Sequence, residues 1–377
     1  MFDLRPDDEQ MAIVETLREI AQKQIRPAAQ SAEAAHAVPE KLASDLLATG
    51  LVAPVSEDFG GQGMPDLITY LMAVEELACG DAAIAMTALA QGFATTVISS
   101  AGTEQQAHLL LPALADGSMT ATVAFLEGYG RRPSEYQTVA ERNANGWALS
   151  GRKVTVANHD RAELTIVIAR RSDNDELGAF VVDNRMVTGS VTTITSDAET
   201  GALALGAARL GTVEYDVQLD DEALLGAIDA APVDLARAVV QIRLVLATIQ
   251  IGNARAAVEY AAKYATDREA FGRPISSFQG VAFMITDAEM DVESVRLELW
   301  RLATALMETT SGRVAEGSLS RVVARVGEVG LRVTRTGVQV LGGHGFITEH
   351  PAERWYRGAG VLAAIDFDPL DSPVAQL

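Results

Sequence analysis

Residues that staple small folds are almost absent from this chain: it has one cysteine, Cys79, and five histidines in 377 residues. A single thiol excludes an internal disulfide and a thiolate metal cluster. The histidines form no close pair at helical ligand spacing, so no metal site is expected. Cations are scarce as well. Thirty Lys and Arg face 51 Asp and Glu, a formal charge of −21, and no basic stripe is evident, which argues against a nucleic-acid partner. Aromatic residues make up only 5%, and Trp147, Trp300 and Trp355 are most simply packing residues. Met1 leads into Phe-Asp-Leu-Arg-Pro without a basic region followed by an apolar one, so no secretory signal is expected. The apolar runs are read as broken by charge before about 18 residues, so no membrane span is expected and a cytoplasmic setting is.

What remains is 48% hydrophobic and 21% charged, a globular composition with room for several packed layers. Residues 1–118 read as a helical domain, with Met11, Val14, Leu17 and Ile20 recurring every three positions and Leu42, Leu46 and Leu47 repeating the logic. Residues 119–228 change to a period of two. Thr138–Arg142 and Trp147–Ser150 flank Asn143-Ala-Asn-Gly146, a hairpin signal, and β-rich runs follow at 164–168, 179–182, 191–194 and 212–217. This predicts a small antiparallel sheet or barrel. Residues 229–377 are helical again: Val281, Ile285, Ala288, Val292, Val295, Leu299, Leu302 and Leu306 alternate four and three apart, and Val322, Val326, Val329, Val333 and Val340 make a second seam. Long helices with matched seams predict a four-helix bundle, and the whole is an α+β layout.

Two C-terminal stretches carry the most specific signal, Arg268-Glu-Ala-Phe-Gly-Arg-Pro-Ile-Ser-Ser-Phe-Gln279 and Gln339-Val-Leu-Gly-Gly-His-Gly-Phe346. Arg268 offers a planar fork suited to a diphosphate, and Phe271 an aromatic face. Gln279 and Gln339 donate and accept, while Gly342 and Gly343 let backbone approach a ligand. The plainer alternative is that Arg268 pairs with a surface carboxylate, Phe271 is core and the glycines cap a helix.

With Phe59-Gly-Gly-Gln-Gly63, Glu75-Glu-Leu-Ala78 and Gly151-Arg-Lys153, these motifs resemble the acyl-CoA dehydrogenase family along nearly the whole chain. The resemblance implies that family's fold: an N-terminal helical domain, a central antiparallel β domain and a C-terminal four-helix bundle. It also implies that Arg268, Phe271, Gln279, Gln339, Gly342 and Gly343 contact the FAD of a neighbouring subunit.

The other half of the family's site departs from its pattern. The family's Thr-Glu-Pro and following Gly-Ser-Asp fall on Phe125-Leu-Glu-Gly-Tyr-Gly-Arg-Arg-Pro-Ser134, where only Glu127 survives. Lys-x-Trp-Ile-Thr-Asn becomes Lys153-Val-Thr-Val-Ala-Asn158, so Thr155 replaces an aromatic and Ala157 a hydroxyl. Each loss costs on the order of 1 kcal/mol of cofactor affinity. The family's base is usually Glu. One location for it falls on Asp366, a methylene shorter and expected to be a surface or turn carboxylate; the other falls on Ile242, just before Arg243, which accepts no proton. Arg354 and Arg357 are expected in ion pairs, and His344 as a polar loop residue.

Three readings follow. The first is the non-catalytic subunit of an α2β2 acyl-CoA dehydrogenase, supplying flavin contacts to a partner that carries the catalytic Glu. By the resemblance, such assemblies act on bulky acyl-CoA substrates, sterol side chains included, and pass electrons to a separate acceptor. The second is an active homotetramer with Asp366 as base. The third is a flavin-free structural or binding protein.

Overall fold

The computed structural model describes residues 6–128, 135–194, 204–227, 233–308 and 313–366. It opens with α1 (Asp8–Ile20), α2 (Arg26–Ala35), α3 (Glu40–Leu47), α4 (Leu67–Gly80), α5 (Ala82–Ala101) and α6 (Glu104–Ala115). Their starts are written locally. Asp7 and Gln10 close a reciprocal capping box on α1, and Thr103 and Gln106 do the same on α6. Asp66 and Asp81 each accept two backbone N–H groups at the heads of α4 and α5. Val14 and Leu17 of the first expected stripe are buried, whereas Met11 is 38% exposed.

The uncharged helix α5 corrects the expectation that charge interrupts every apolar run. Both α5 and residues 235–267 are long and apolar enough to cross a membrane by length and composition, and both are mostly buried inside the fold. The apolar length of α5 is spent against its neighbours, with Ile84, Leu89, Ala94 and Val97 fully enclosed.

The middle of the chain is a sheet of β1 (Ala121–Ala124), β2 (Val139–Asn143), β3 (Gly146–Val156), β4 (Leu164–Arg171), β5 (Leu177–Asp183), β6 (Thr188–Ile194) and β7 (Gly211–Leu219). Its order is β1-β4-β2-β3-β7-β6, with β5 on the other edge of β4. The β2–β3 hairpin forms as read, with Asn143 paired to Gly146 across the turn. Most pairings are antiparallel, but β4 runs parallel to β1 and β2, a long-range arrangement that a period-two pattern does not encode. Alternation explains the two faces. Leu164, Ile166 and Ile168 of β4 join the core shared with the helices, while Val167 and Ala169 face a second core around Trp147, Phe180 and Val217.

The chain then returns to helix: α7 (Val233–Asp267), a short hairpin of β8 (Glu269–Ala270) and β9 (Arg273–Pro274), α8 (Gln279–Glu308), α9 (Arg313–Leu341) and α10 (Ala352–Ile365). The seams are as expected except at the start of α8, where Val281 and Ile285 are only half-buried. Ala288, Val292, Val295, Leu299, Leu302 and Leu306 of α8 are buried, as are Val322, Val326, Val329, Val333 and Val340 of α9. Helix α7 packs against its three bundle partners and against α4 and α5, which joins the bundle to the N-terminal helices.

A buried charge network marks that junction. Arg255 of α7 donates to Glu75 at 2.8 Å and to Glu76 at 2.9 and 2.6 Å. Arg296 of α8 donates twice to Glu75, at 2.9 and 2.8 Å. Burial alone raises the Glu75 carboxyl, but the two guanidiniums outweigh it and hold that group below the usual range. Arg354 faces Asp81, and Arg357 bridges Glu33 and Glu353, so both form the expected ion pairs. All three tryptophans are buried.

Candidate cofactor-binding site

The two C-terminal motifs, some sixty positions apart, are assembled at one end of the bundle. As α7 runs out, the Arg268 amide donates to Tyr264 O at 2.8 Å, and Ile275 N returns to Arg268 O at 2.8 Å, closing the hairpin. At its tip Phe271 and Gly272 both take left-handed backbone, φ +54° and +78°. Two such residues in succession suit the tight twist of a hairpin turn, and Gly adopts it freely. For Phe it costs about 1 kcal/mol. The side chain recovers little of that by packing, being 96% exposed, with one edge-on contact to Phe278. A bulky aromatic held in strained backbone and pointed at solvent leaves its ring face open to contact from outside the chain.

The second motif closes α9. Gly342 takes φ +59° directly after the last helical residue, and neither Gly342 nor Gly343 has an atom within 4 Å of where a Cβ would stand. One apolar cluster holds both motifs together: Val338, Val340 and Leu341 from α9, Ile275, Val281 and Met284 around the start of α8, and Ala261 and Ala265 from α7. Tyr264 of α7 adds a bond to His344 Nδ1 at 2.8 Å, and the His344 ring stacks on His350. His344 therefore braces the glycine turn against α7.

Around that cluster Arg268, Phe271, Gln279, Gln339, Gly342 and Gly343 are all exposed. Arg268, Gln279 and Gln339 make no side-chain hydrogen bond or ion pair among the described residues. The plainer alternative thus fails at Arg268 and Phe271 and holds at Gly342, which does cap its helix. The six residues form a platform with a cationic fork, an aromatic face, two amides and open backbone, and this donor set fits a dinucleotide's diphosphate and ring edges.

The β domain presents a different picture. Lys153 is fully enclosed: its Nζ donates to Glu127 at 2.9 Å and to Phe125 O at 3.1 Å, and lies 4.0 Å from the Tyr136 ring centroid. Glu127 also accepts the Gln137 and Thr138 amides at 2.6 and 2.9 Å. Burial raises the Glu127 carboxyl, and Lys153 with the Gln137 amide more than offsets it, leaving the group below the usual range. The surviving Glu127 is therefore committed to the interior of its own domain. The ladder of β3 slips between Lys153 and Val156, and Thr155 is pushed out at φ +51° with its hydroxyl buried and without a hydrogen-bond partner among the described residues. Ala157 is buried, and its carbonyl accepts the Thr122 hydroxyl. This segment offers no aromatic platform and no outward hydroxyl. The stretch 129–134 lies outside the described residues.

Asp366 corrects the expectation of a surface carboxylate: it is 6% exposed. Helix α10 ends at Ile365 and delivers Asp366 into the bundle, where Arg243 Nε donates to both carboxylate oxygens at 2.9 and 3.0 Å. Arg243 is itself 2% exposed. The cavity that Asp366 lines is about 20 Å³, room for about one water. Sequence reasoning named both base positions but missed that Asp366 pairs with Arg243, the residue after Ile242, across 123 residues; no local pattern announces such a contact. Among the described residues no cluster of His, Cys, Asp or Glu could hold a metal.

Comparison with known proteins agrees with this layout. Residues 7–118 match the model of the acyl-CoA dehydrogenase N-terminal domain, and residues 235–366 that of the acyl-CoA dehydrogenase C-terminal domain. The chain is 29% identical over 362 residues to the mitochondrial short-chain specific acyl-CoA dehydrogenase of Sus scrofa, covering 94% of this chain and 86% of that protein. Among solved structures, butyryl-CoA dehydrogenase from Megasphaera elsdenii superposes with a TM-score of 0.82 at 25% identity, covering 98% of this chain and 97% of that one. A glutaryl-CoA dehydrogenase from Mycobacterium smegmatis in complex with FADH2 gives 0.80 at 21% identity, covering 95% and 90%, and shares the fold.

Proposed function

Because the chain belongs to the flavin-dependent acyl-CoA dehydrogenase family, we propose that it is the non-catalytic subunit of a heteromeric member. In this reading Arg268, Phe271, Gln279, Gln339, Gly342 and Gly343 contact an FAD held mainly by a partner subunit. That partner carries the catalytic Glu, the assembly is α2β2, and a separate acceptor takes the electrons. FAD, when bound, supplies the acceptor for the β-hydride of an acyl-CoA thioester. This chain's residues hold and orient: Arg268 neutralises diphosphate charge, Phe271 covers a ring face, and the two glutamines and open glycine backbone bond to its edges.

One observation carries the proposal. The only residue at a base position that could take a proton, Asp366, has both oxygens on buried Arg243, while Ile242 fills the other position. A general base needs hydrogen-bond reach to the α-proton, and a carboxylate enclosed beside a 20 Å³ space has no room for a thioester. The flavin platform, by contrast, is exposed and unpaired, as a contribution across an interface requires. The test is co-expression with a family member that has Thr-Glu-Pro and a Glu base, reading flavin content and turnover. A yellow complex with one flavin per pair, whose turnover survives Asp366→Ala, is expected. Loss of turnover on Asp366→Ala in a complex that keeps its fold and its flavin favours the homotetramer with Asp366 as base.

A further inference from the structure

Of the platform residues only Arg268 is cationic, whereas a diphosphate carries charge on both of its phosphates. The hairpin that follows α7 holds a second cation. Its ladder pairs Ala270 with Arg273 and Glu269 with Pro274, and the Ile275 amide closes it on Arg268 O at 2.8 Å. Residues opposed across an antiparallel ladder share a face, as do alternate residues of one strand. Arg268, Ala270, Arg273 and Ile275 therefore lie on one face. Glu269, the only carboxylate between residues 268 and 279, lies on the other. Arg268 and Arg273 are diagonal neighbours on their face, roughly 7 Å apart at Cβ.

The Arg273 side chain is held in place without being used up. Its guanidinium carbon stands 4.1 Å from the centroid of the Phe278 ring, a cation–π contact. Phe278 is itself fixed at the head of α8: its amide donates to Ile275 O at 3.1 Å, and its carbonyl accepts the Val281 and Ala282 amides at 3.0 Å each. The same ring meets Phe271 edge-on, with 6.2 Å between centroids. Arg273 is exposed and makes no ion pair among the described residues, in a chain where 51 acids outnumber 30 cations. A guanidinium seated over a ring face leaves its N–H edges free to meet an anion. Resting on the flavin platform proposed above, we infer that Arg273 is a further cofactor-binding residue, a second fork on the diphosphate beside Arg268. The Phe278 contact orders that fork before the ligand arrives, which lowers the cost of binding.

The test uses the co-expressed heteromer, or the chain alone should that prove to be the yellow form, stripped of flavin and titrated with FAD at low and high ionic strength. Arg273→Met keeps an apolar chain over Phe278 and removes the charge. It is expected to weaken FAD about tenfold at low ionic strength, the effect of one hydrogen bond to a charged group. Most of that difference is expected to vanish at high salt. Arg273→Lys, which restores charge without the planar fork, should recover part of the loss. Riboflavin, which has no diphosphate, should bind the native and Arg273→Met proteins alike, and that result also reports an intact site. Unchanged FAD affinity in Arg273→Met overturns the inference. So does a loss that is equal at both ionic strengths or shared by riboflavin, since either assigns Arg273 to packing of the hairpin. A protein that takes up no FAD, alone or with a partner, defeats the platform reading itself; one that binds FAD but is indifferent to Arg273 defeats only the second fork.

Discussion

Replacing Asp366 by Asn removes one charge from a buried pair and leaves Arg243, 2% exposed, without its counter-ion. Two estimates of the cost agree. Unit charges about 4 Å apart interact by roughly 4 kcal/mol at the effective dielectric of protein sites. Removing one partner of a buried pair measures about 3–5 kcal/mol, mostly the stranded charge. Asn keeps an acceptor for Arg243 Nε, so the lower end, about 3 kcal/mol, is expected. With a urea m-value of about 3 kcal/mol/M, the midpoint falls by about 1 M, read from the fluorescence of the three buried tryptophans. The pair Arg243→Met with Asp366→Leu has no charge to strand and is expected within about 1–2 kcal/mol of the native chain. That makes the double variant more stable than Asp366→Asn. An unchanged midpoint for Asp366→Asn, or strictly additive effects of the two positions, would refute the claim that Arg243 engages this carboxylate.

Three further outcomes follow from the structure. Phe271→Gly relieves left-handed strain and should leave stability unchanged or raise it by up to about 1 kcal/mol, while lowering flavin retention in the complex; reduced stability with normal retention would contradict the ligand-facing assignment. Glu75 is held below the ordinary carboxylate range, so its contribution is full above about pH 4.3 and is lost as pH falls through its lower folded-state value. Glu75→Gln should cost about 3 kcal/mol at neutral pH and flatten the acid limb of stability in urea titrations from pH 3 to 7. Gly92→Ala sets a helix-propensity gain of up to about 1 kcal/mol against a Cβ placed 2.3 Å from Val52 O; overpacking of about 1–3 kcal/mol wins, and the urea midpoint should drop.

Periodic features were legible from sequence because their cause is local. The α8 and α9 seams and the Asn143–Gly146 hairpin follow from spacing alone, and the exposure of the two C-terminal motifs was open to reading because backbone freedom at glycine and the Arg fork are properties of the residues themselves. What was missed depends on partners far along the chain. Asp366 reads as a turn residue until α10 carries it to Arg243, and the burial of Glu75 and Glu76 makes sense only with Arg255 and Arg296 from the bundle. The parallel pairing of β4 with β1 and β2 lies in topology, not pattern. The uncharged run of α5 was misjudged because burial inside a fold and burial in a bilayer select the same residues.

The most direct test of the subunit assignment is the flavin content and dehydrogenase activity of this chain purified alone, set beside the same measurements after co-expression with a family member that carries the Glu base. The account predicts a colourless, inactive chain alone and a yellow, active complex with one flavin per pair, in which Arg268→Ala lowers flavin retention. A yellow homo-oligomer that oxidises an acyl-CoA without any partner would contradict it.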